Sequence, residues 1–237
     1  MSIRDVIYSG CISRDLSVLR AELNARHRVR ERRFLIDYLP AESTGVELGV
    51  FTGLFSGVLS RQQKFSKLTF VDPWWLAHGE CYSDWGSYTD FGRLKTRQAW
   101  EAARRRILNG LSNRTIEVAF SQDWLECQPD ESLDWAYIDS SHAYDGTWQE
   151  LKLLNSKIRR TGLICGDDWR PDRNNKHHGV SLAVNEFVRA EGFEFVMCGV
   201  NDQWIIRRKL KDASALTFVR HDEDYARVRL GKAASEE

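Results

Sequence analysis

The chain has 237 residues, 42% of them hydrophobic and 29% charged, the balance of a folded globular protein rather than a disordered one. Lys+Arg and Asp+Glu both number 34, so the net charge is zero, which argues against a general nucleic-acid binder but leaves room for a local basic patch. The N-terminus MSIRDVIYSG has no apolar run suited to a signal peptide, no window approaches a membrane span, and the odd, scattered Cys11, Cys81, Cys127, Cys165 and Cys198 form no CxxC pair; together these predict a soluble cytoplasmic protein with reduced thiols.

Residues 1–40 read as an N-terminal helical segment. Leu16, Leu19 and Leu23, then Phe34, Leu35 and Leu39, recur at helical spacing, and Pro40 closes the run. The basic stretch from Arg26 to Arg33 between them reads as a solvated or subunit-facing helix surface, with contact to an anionic substrate as the alternative. From residue 45 short apolar runs alternate with helical patterns. The predicted strands are 45–49, 67–72, 114–119, 133–139, 162–167, 193–199 and 202–208, and the predicted helices 54–63, 95–109, 143–158 and 180–191. Strands alternating with helices predict a doubly wound α/β domain over residues 41–210, with a seven-stranded, mostly parallel sheet. Only Gly199-Val200-Asn201 separates the last two strands, so they form a hairpin, and one strand is antiparallel at the end of the sheet. Residues 73–100 form an insertion rich in aromatics (Trp74, Trp75, Tyr82, Trp85, Tyr88, Phe91, Trp100), read either as a lid over an acceptor pocket or as a satellite core or dimer contact. Residues 211–237 are a polar C-terminal tail apart from Leu216 to Val219.

The chemistry concentrates at strand ends, where open α/β sheets bind ligands. The first strand ends Glu47-Leu48-Gly49-Val50-Phe51-Thr52-Gly53: the glycines permit a tight turn, while the dinucleotide pattern GxGxxG is absent. An acid at this place suits an ammonium or hydroxyl-bearing ligand better than a pyrophosphate. The second strand ends in Asp72-Pro73; the carboxylate is placed to accept a ribose diol, or else simply to start a turn. After the third, Ser121 and Gln122 are candidates for an adenine edge with Trp124 stacking on it, or for the cap of a short helix. The fourth and fifth strands end in Asp139 and in Asp167-Asp168, and the spacing between them fits one helical crossover between neighbouring strands. Three carboxylates so close need a cation or a proton to coexist, and oxygen ligands favour Mg²⁺, Ca²⁺ or Mn²⁺. His142 on the following loop is placed to act as a general base. All of these groups are expected to converge on a single cleft.

These residues resemble a known group. GVELGVFTGLFSG resembles the first motif of catechol-type small-molecule O-methyltransferases, and FSQDW and the acids Asp139, Asp167 and Asp168 recur there in the same order. The run from Leu133 to Trp169 is similar to a bacterial group that includes macrocin-type sugar O-methyltransferases, with a DxxHxY element (Asp139, His142, Tyr144) leading to a Gly-x-Asp element (Gly166, Asp168). The likeness spans about residues 45–190. It implies a class I S-adenosylmethionine-dependent methyltransferase in which Glu47, Gly49, Phe51 and Gly53 surround the methionine part of the cofactor. Asp72 would take the ribose, with Ser121, Gln122 and Asp139 as further cofactor contacts. Asp139, Asp167 and Asp168 would hold Mg²⁺, and His142 and Asp139 would be catalytic. The chain departs from the catechol type in having Phe55 where a serine contacts the cofactor, with Ser56 one place later, and from many bacterial relatives in having Asp167-Asp168 for His-Asp. The implied acceptor is a hydroxyl of a sugar, glycosylated natural product or phenol, with no nucleic-acid or membrane partner and a homo-oligomer left open. A metal-dependent hydrolase and a non-catalytic cofactor-binding module on the same fold are the alternatives.

Overall fold

The computed structural model describes residues 16–79 and 82–209. The tail 211–237, residues 1–15 of the N-terminal segment, Cys11 and Cys81 lie outside the described residues. Seven strands follow the order β3-β2-β1-β4-β5-β7-β6. The chain divides into two compact units, Met1–Gln128 and Pro129–Glu237.

In the first unit, α1 (Leu16–Arg32) and α2 (Leu35–Tyr38) precede β1 (Ser43–Leu48), α3 (Leu54–Leu59), β2 (Phe65–Asp72), α4 (Thr96–Leu108), β3 (Arg114–Val118) and α5 (Ser121–Glu126). The three strands are parallel, and Leu48 stands beside Val71. Val46 and Leu48, and Leu68, Phe70 and Val71, are at most 1% exposed. Such near-continuous burial is what a parallel sheet covered on both faces requires, and each large apolar side chain removed from water contributes about 1.5–3 kcal/mol. β3 is more exposed, in keeping with its place at one end of the strand order.

A buried ion pair ties the helices to the turn after β1. Arg106 on α4 bonds Glu22 on α1 at 2.7 Å and donates to the Thr52 carbonyl at 2.6 Å. Burial pushes the Glu22 carboxyl above its ordinary range, and the Arg106 guanidinium opposes that push. Removing either partner would strand the other charge, a loss far larger than the net worth of the pair. The basic stretch after Arg26 is mostly half-buried or exposed.

In the second unit, β4 (Leu133–Ile138), α6 (Tyr144–Lys157), β5 (Ile158–Gly166), α7 (His178–Ala190), β6 (Phe193–Cys198) and β7 (Trp204–Arg208) follow in turn. β4 and β5 are parallel; β7 pairs antiparallel with both β5 and β6. The last two strands are therefore paired, and the antiparallel strand is β7, inserted beside β5, while β6 takes the outermost position. Trp135, Trp204 and Phe187 are fully buried here. Cys165 is buried as a small hydrophobe, its Sγ 3.2 Å from the Ala136 carbonyl and its pKa pushed up by burial. Among the described residues no helix is long and apolar enough to cross a membrane.

Gly53 shows how closely α3 approaches α4. Its φ is +74°, and a Cβ placed on it would lie 2.7 Å from the Ala103 Cα, a backbone atom that cannot swing aside. Left-handed strain of about 1–2 kcal/mol adds to an overpacking cost of about 1–3 kcal/mol, so Gly53→Ala is expected to destabilise by roughly 2–5 kcal/mol in chemical denaturation. A loss below about 0.5 kcal/mol, the scale of a neutral surface change, would refute that packing role.

Candidate active site

At the carboxyl end of β2 the register places Asp72 just beyond the Leu48–Val71 pair, level with the turn that leaves β1. Its carboxylate is 7% exposed. Oδ2 accepts the amides of Val50 and Phe51, each at 2.9 Å, and Oδ1 accepts the amide of Trp74 at 2.9 Å. Burial raises the Asp72 pKa, and the three amides oppose that rise. Oδ2 thus has both lone pairs engaged, and Oδ1 keeps one for a ligand. The carboxylate expected from sequence to face a ribose diol also clamps two loops together, with capacity for one further hydrogen bond.

The clamp continues into the aromatic insertion. Trp74 is fully buried and its indole N–H donates to the Phe51 carbonyl at 3.0 Å. Five consecutive non-glycine residues, Trp74 to His78, hold φ between 23° and 84°. Left-handed backbone costs about 1–2 kcal/mol per residue and persists only where the surroundings over-determine it, here through the two anchors of Trp74. Tyr82 stacks edge-on to Phe51 at 5.0 Å and to Trp75 at 4.9 Å, with Trp85 at 5.4 Å. Its hydroxyl is buried without a hydrogen-bond partner among the described residues, and burial with the Asp72 charge pushes its pKa up. Leu76, Trp85, Tyr88 and Phe91 keep exposed faces, whereas Trp74, Tyr82, Thr89 and Leu94 are buried, so the insertion is part local core and part open aromatic surface.

The other predicted residues of this unit fall around the same turns. Gly49 (φ +90°) and Phe51 (φ +55°) shape the turn after β1, and Glu47 is 2% exposed at the end of that strand. Gly53 is placed by its packing on Ala103. Phe55 and Ser56 are both buried in α3. Ser121 and Gln122 open the short α5, with Ser121 Oγ bonded to Gln122 Oε1 at 3.2 Å, and Trp124 is half-buried.

In the second unit, Ile138 pairs with Gly166, which brings the two strand ends level and sets Asp139 beside Asp167 and Asp168. The strands can approach because Gly166 has no side chain: a Cβ there would lie 2.5 Å from the Trp204 ring and 2.6 Å from the Ile138 carbonyl. Asp139, Asp167 and Asp168 each present an oxygen, all within 4.8 Å of one another, a hard oxygen donor set that fits Mg²⁺, Mn²⁺ or Ca²⁺. Asp167 is held by the Gln203 amide, itself bonded through Oε1 to the Tyr137 hydroxyl at 2.9 Å. Asp168, at φ +60°, meets His142 Nδ1 at 2.7 Å. Burial lowers the His142 pKa, but the Asp168 hydrogen bond and the charges of Asp139, Asp168 and Asp167 outweigh it, leaving the imidazole above its ordinary value. His177 Nδ1 lies 3.8 Å from the same Asp168 oxygen, and its ring is 4.9 Å from that of His142. Burial is the main influence that keeps the His177 pKa below the usual histidine value. Tyr144, the last member of DxxHxY, bonds Glu186 at 2.6 Å and so joins α6 to α7.

Residues 44–169 match the family profile described as a methyltransferase domain, just over half of the sequence. The chain belongs to the methyltransferase-domain family. Its fold and family are those of class I S-adenosylmethionine-dependent methyltransferases. No curated protein sequence matches it. Among solved structures, a structural-genomics target from Corynebacterium glutamicum is similar at TM-score 0.54 and 16% identity, over 89% of this chain and 97% of that one. A proposed O-methyltransferase from Klebsiella pneumoniae is similar at 0.52 and 12%, over 88% of each chain. An rRNA methylase from Streptococcus thermophilus is similar at 0.51 and 13%, over 76% of this chain and 95% of that one. At such identities the likeness concerns the fold.

Within this methyltransferase domain, sequence reasoning missed Gln203, Tyr137 and His177. Nothing near Gln203 marks it, since its role comes from the insertion of β7 beside β5. His177 lies in the polar loop after β5, and only the fold shows which of that loop's groups faces Asp168. The Asp72 clamp generates a direct prediction. Asp72→Asn turns an amide N–H₂ or a weaker carbonyl toward three N–H donors, so it is expected to cost about 1–3 kcal/mol and lower the melting temperature. An unchanged melting curve would show that the carboxylate does not hold the two loops.

Proposed function

We propose that this methyltransferase transfers a methyl group from S-adenosylmethionine to a hydroxyl oxygen of a small molecule, with the loops of the first unit recognising the cofactor and His142 removing the acceptor proton. The observation that carries this reading is the 2.7 Å contact between His142 Nδ1 and Asp168, beside Asp139 and Asp167. With Nδ1–H donated to Asp168, Nε2 holds the lone pair that accepts a proton, and the carboxylate stabilises the imidazolium that results. Bound S-adenosylmethionine supplies an electrophilic methyl group on its sulfonium. The O–H bond of the acceptor breaks as its proton passes to His142; the O–CH₃ bond forms as the methyl–sulfur bond breaks, leaving S-adenosylhomocysteine. Asp139, Asp167 and Asp168 would hold a divalent cation, which would lower the pKa of the acceptor hydroxyl.

On the first unit, Glu47 is the candidate partner for the amino group of the methionine part, and Gly49 and Phe51 shape the turn against it. Asp72, through its remaining lone pair, and Ser121 with Gln122 face the nucleoside. The exposed aromatic faces of Trp85, Tyr88 and Phe91 support an acceptor with an apolar or ring-shaped face, such as a sugar, a glycosylated natural product or a phenol. The zero net charge favours such an acceptor over nucleic acid. A cytoplasmic location is part of the same proposal.

Two measurements test the base. His142→Ala and Asp168→Ala are expected to lower kcat by about 10²–10⁴-fold while leaving cofactor affinity nearly unchanged; full turnover in both would refute the assignment. The pH profile follows from the raised His142 pKa. The imidazole must be neutral to accept a proton, so kcat/KM should rise with pH through an apparent pKa above about 6.5, the ordinary histidine value. Asp168→Asn removes the largest interaction that raises it, while the charges of Asp139 and Asp167 remain, and should move that limb to lower pH. A limb that stays in place would remove His142 from the mechanism.

A further inference from the structure

Asp168 belongs to two donor sets. One is the all-oxygen set with Asp139 and Asp167. The other is His142, Asp168 and His177, whose ligand atoms also lie within 4.8 Å of one another. We propose that this second set is a binding site for a first-row transition dication such as Zn²⁺ or Co²⁺, chemically distinct from the magnesium-type set beside it.

The geometry supports it at each ligand. His142 Nδ1 and His177 Nδ1 stand 2.7 and 3.8 Å from one and the same oxygen of Asp168. For bonds of about 2.0–2.1 Å in a tetrahedral site, neighbouring donor atoms lie roughly 3.3–3.4 Å apart, so the two separations bracket the required spacing and need shifts of about half an ångström. His177 Nδ1 is buried and has no hydrogen-bond partner among the described residues. A buried ring nitrogen of this kind is costly unless something fills it. The adjacent His178 is already committed, its Nδ1 3.1 Å from the Arg170 carbonyl, so of the two histidines it is His177 that turns to Asp168. Asp168 is 7% exposed and held at φ +60°, which fixes the shared oxygen. His142 is the more open ligand, and leaves a side from which an ion can enter. Two imidazoles and one carboxylate are the ligand set of borderline dications, whereas three carboxylates are that of Mg²⁺. This inference goes beyond the methyl-transfer reading and has a consequence for it: an imidazole bound to a metal through Nδ1 no longer has Asp168 as its hydrogen-bond partner, so occupancy of this set and base action by His142 exclude one another.

The test uses the metals alone on the full chain, without cofactor or acceptor. Co²⁺ titration followed by its visible absorption should give one site, and His177→Ala and His177→Asn should each weaken it at least tenfold while leaving Mg²⁺ affinity by calorimetry within twofold. Asp139→Asn should do the reverse. Circular dichroism of each variant confirms folding, and the asparagine variant serves where alanine does not fold. Co²⁺ affinity unchanged in both His177 variants, or lost equally in Asp139→Asn, would place the ion in the oxygen set and overturn the proposal. Neither readout involves S-adenosylmethionine, so failure here is separable from failure of the methyl-transfer reading.

Discussion

The carboxylate of Asp72 accepts three backbone amides, two from the turn after β1 and one from the start of the aromatic insertion. Much of the first unit's site depends on that one side chain. Parallel strands end in loops whose N–H groups have no ladder partner, and a buried loop must find acceptors for them. Asp72 supplies them at 7% exposure. It thereby fixes Val50 and Phe51 in the glycine turn, and through Trp74 it fixes the root of the insertion. The same arrangement limits what the carboxylate can do for a ligand, because only one of its lone pairs remains.

The second unit meets a related constraint with different parts. There the register Ile138–Gly166 sets the strand ends level, and a glycine at 166 lets the Trp204 ring and the Ile138 carbonyl close on the strand. Three carboxylates follow, two of them with named neighbours: Gln203 on Asp167, and His142 with His177 on Asp168. Like charges at such spacing raise the pKa of a histidine beside them, and His142 takes that role.

Much of this was legible in the sequence, for physical reasons that apply element by element. β1, β2, β4 and β5 are buried on both faces, so they stand out as apolar runs, and the acids that end them mark the carboxyl edge. Asp139, His142, Asp167 and Asp168 were readable as a group because one crossover length separates them. What the sequence could not show depends on side-chain direction and long-range register. The three amides on Asp72 follow from the relative placement of β1 and β2. The packing role of Gly53 follows from where Ala103 sits on α4. The insertion of β7 between β5 and β6 is a matter of strand order, which a three-residue connection leaves open. Gln203 and His177 gain their significance from that order and from the loop after β5, and no local pattern marks either.

The measurement that bears most directly on the central claim is titration calorimetry of the wild-type chain with S-adenosylhomocysteine, paired with thermal unfolding. The account predicts one molecule bound per chain and, at a concentration 100 times the dissociation constant, a gain of about 2.7 kcal/mol in stability. Absence of both heat and stabilisation, with or without Mg²⁺, in a chain shown to be folded would contradict it.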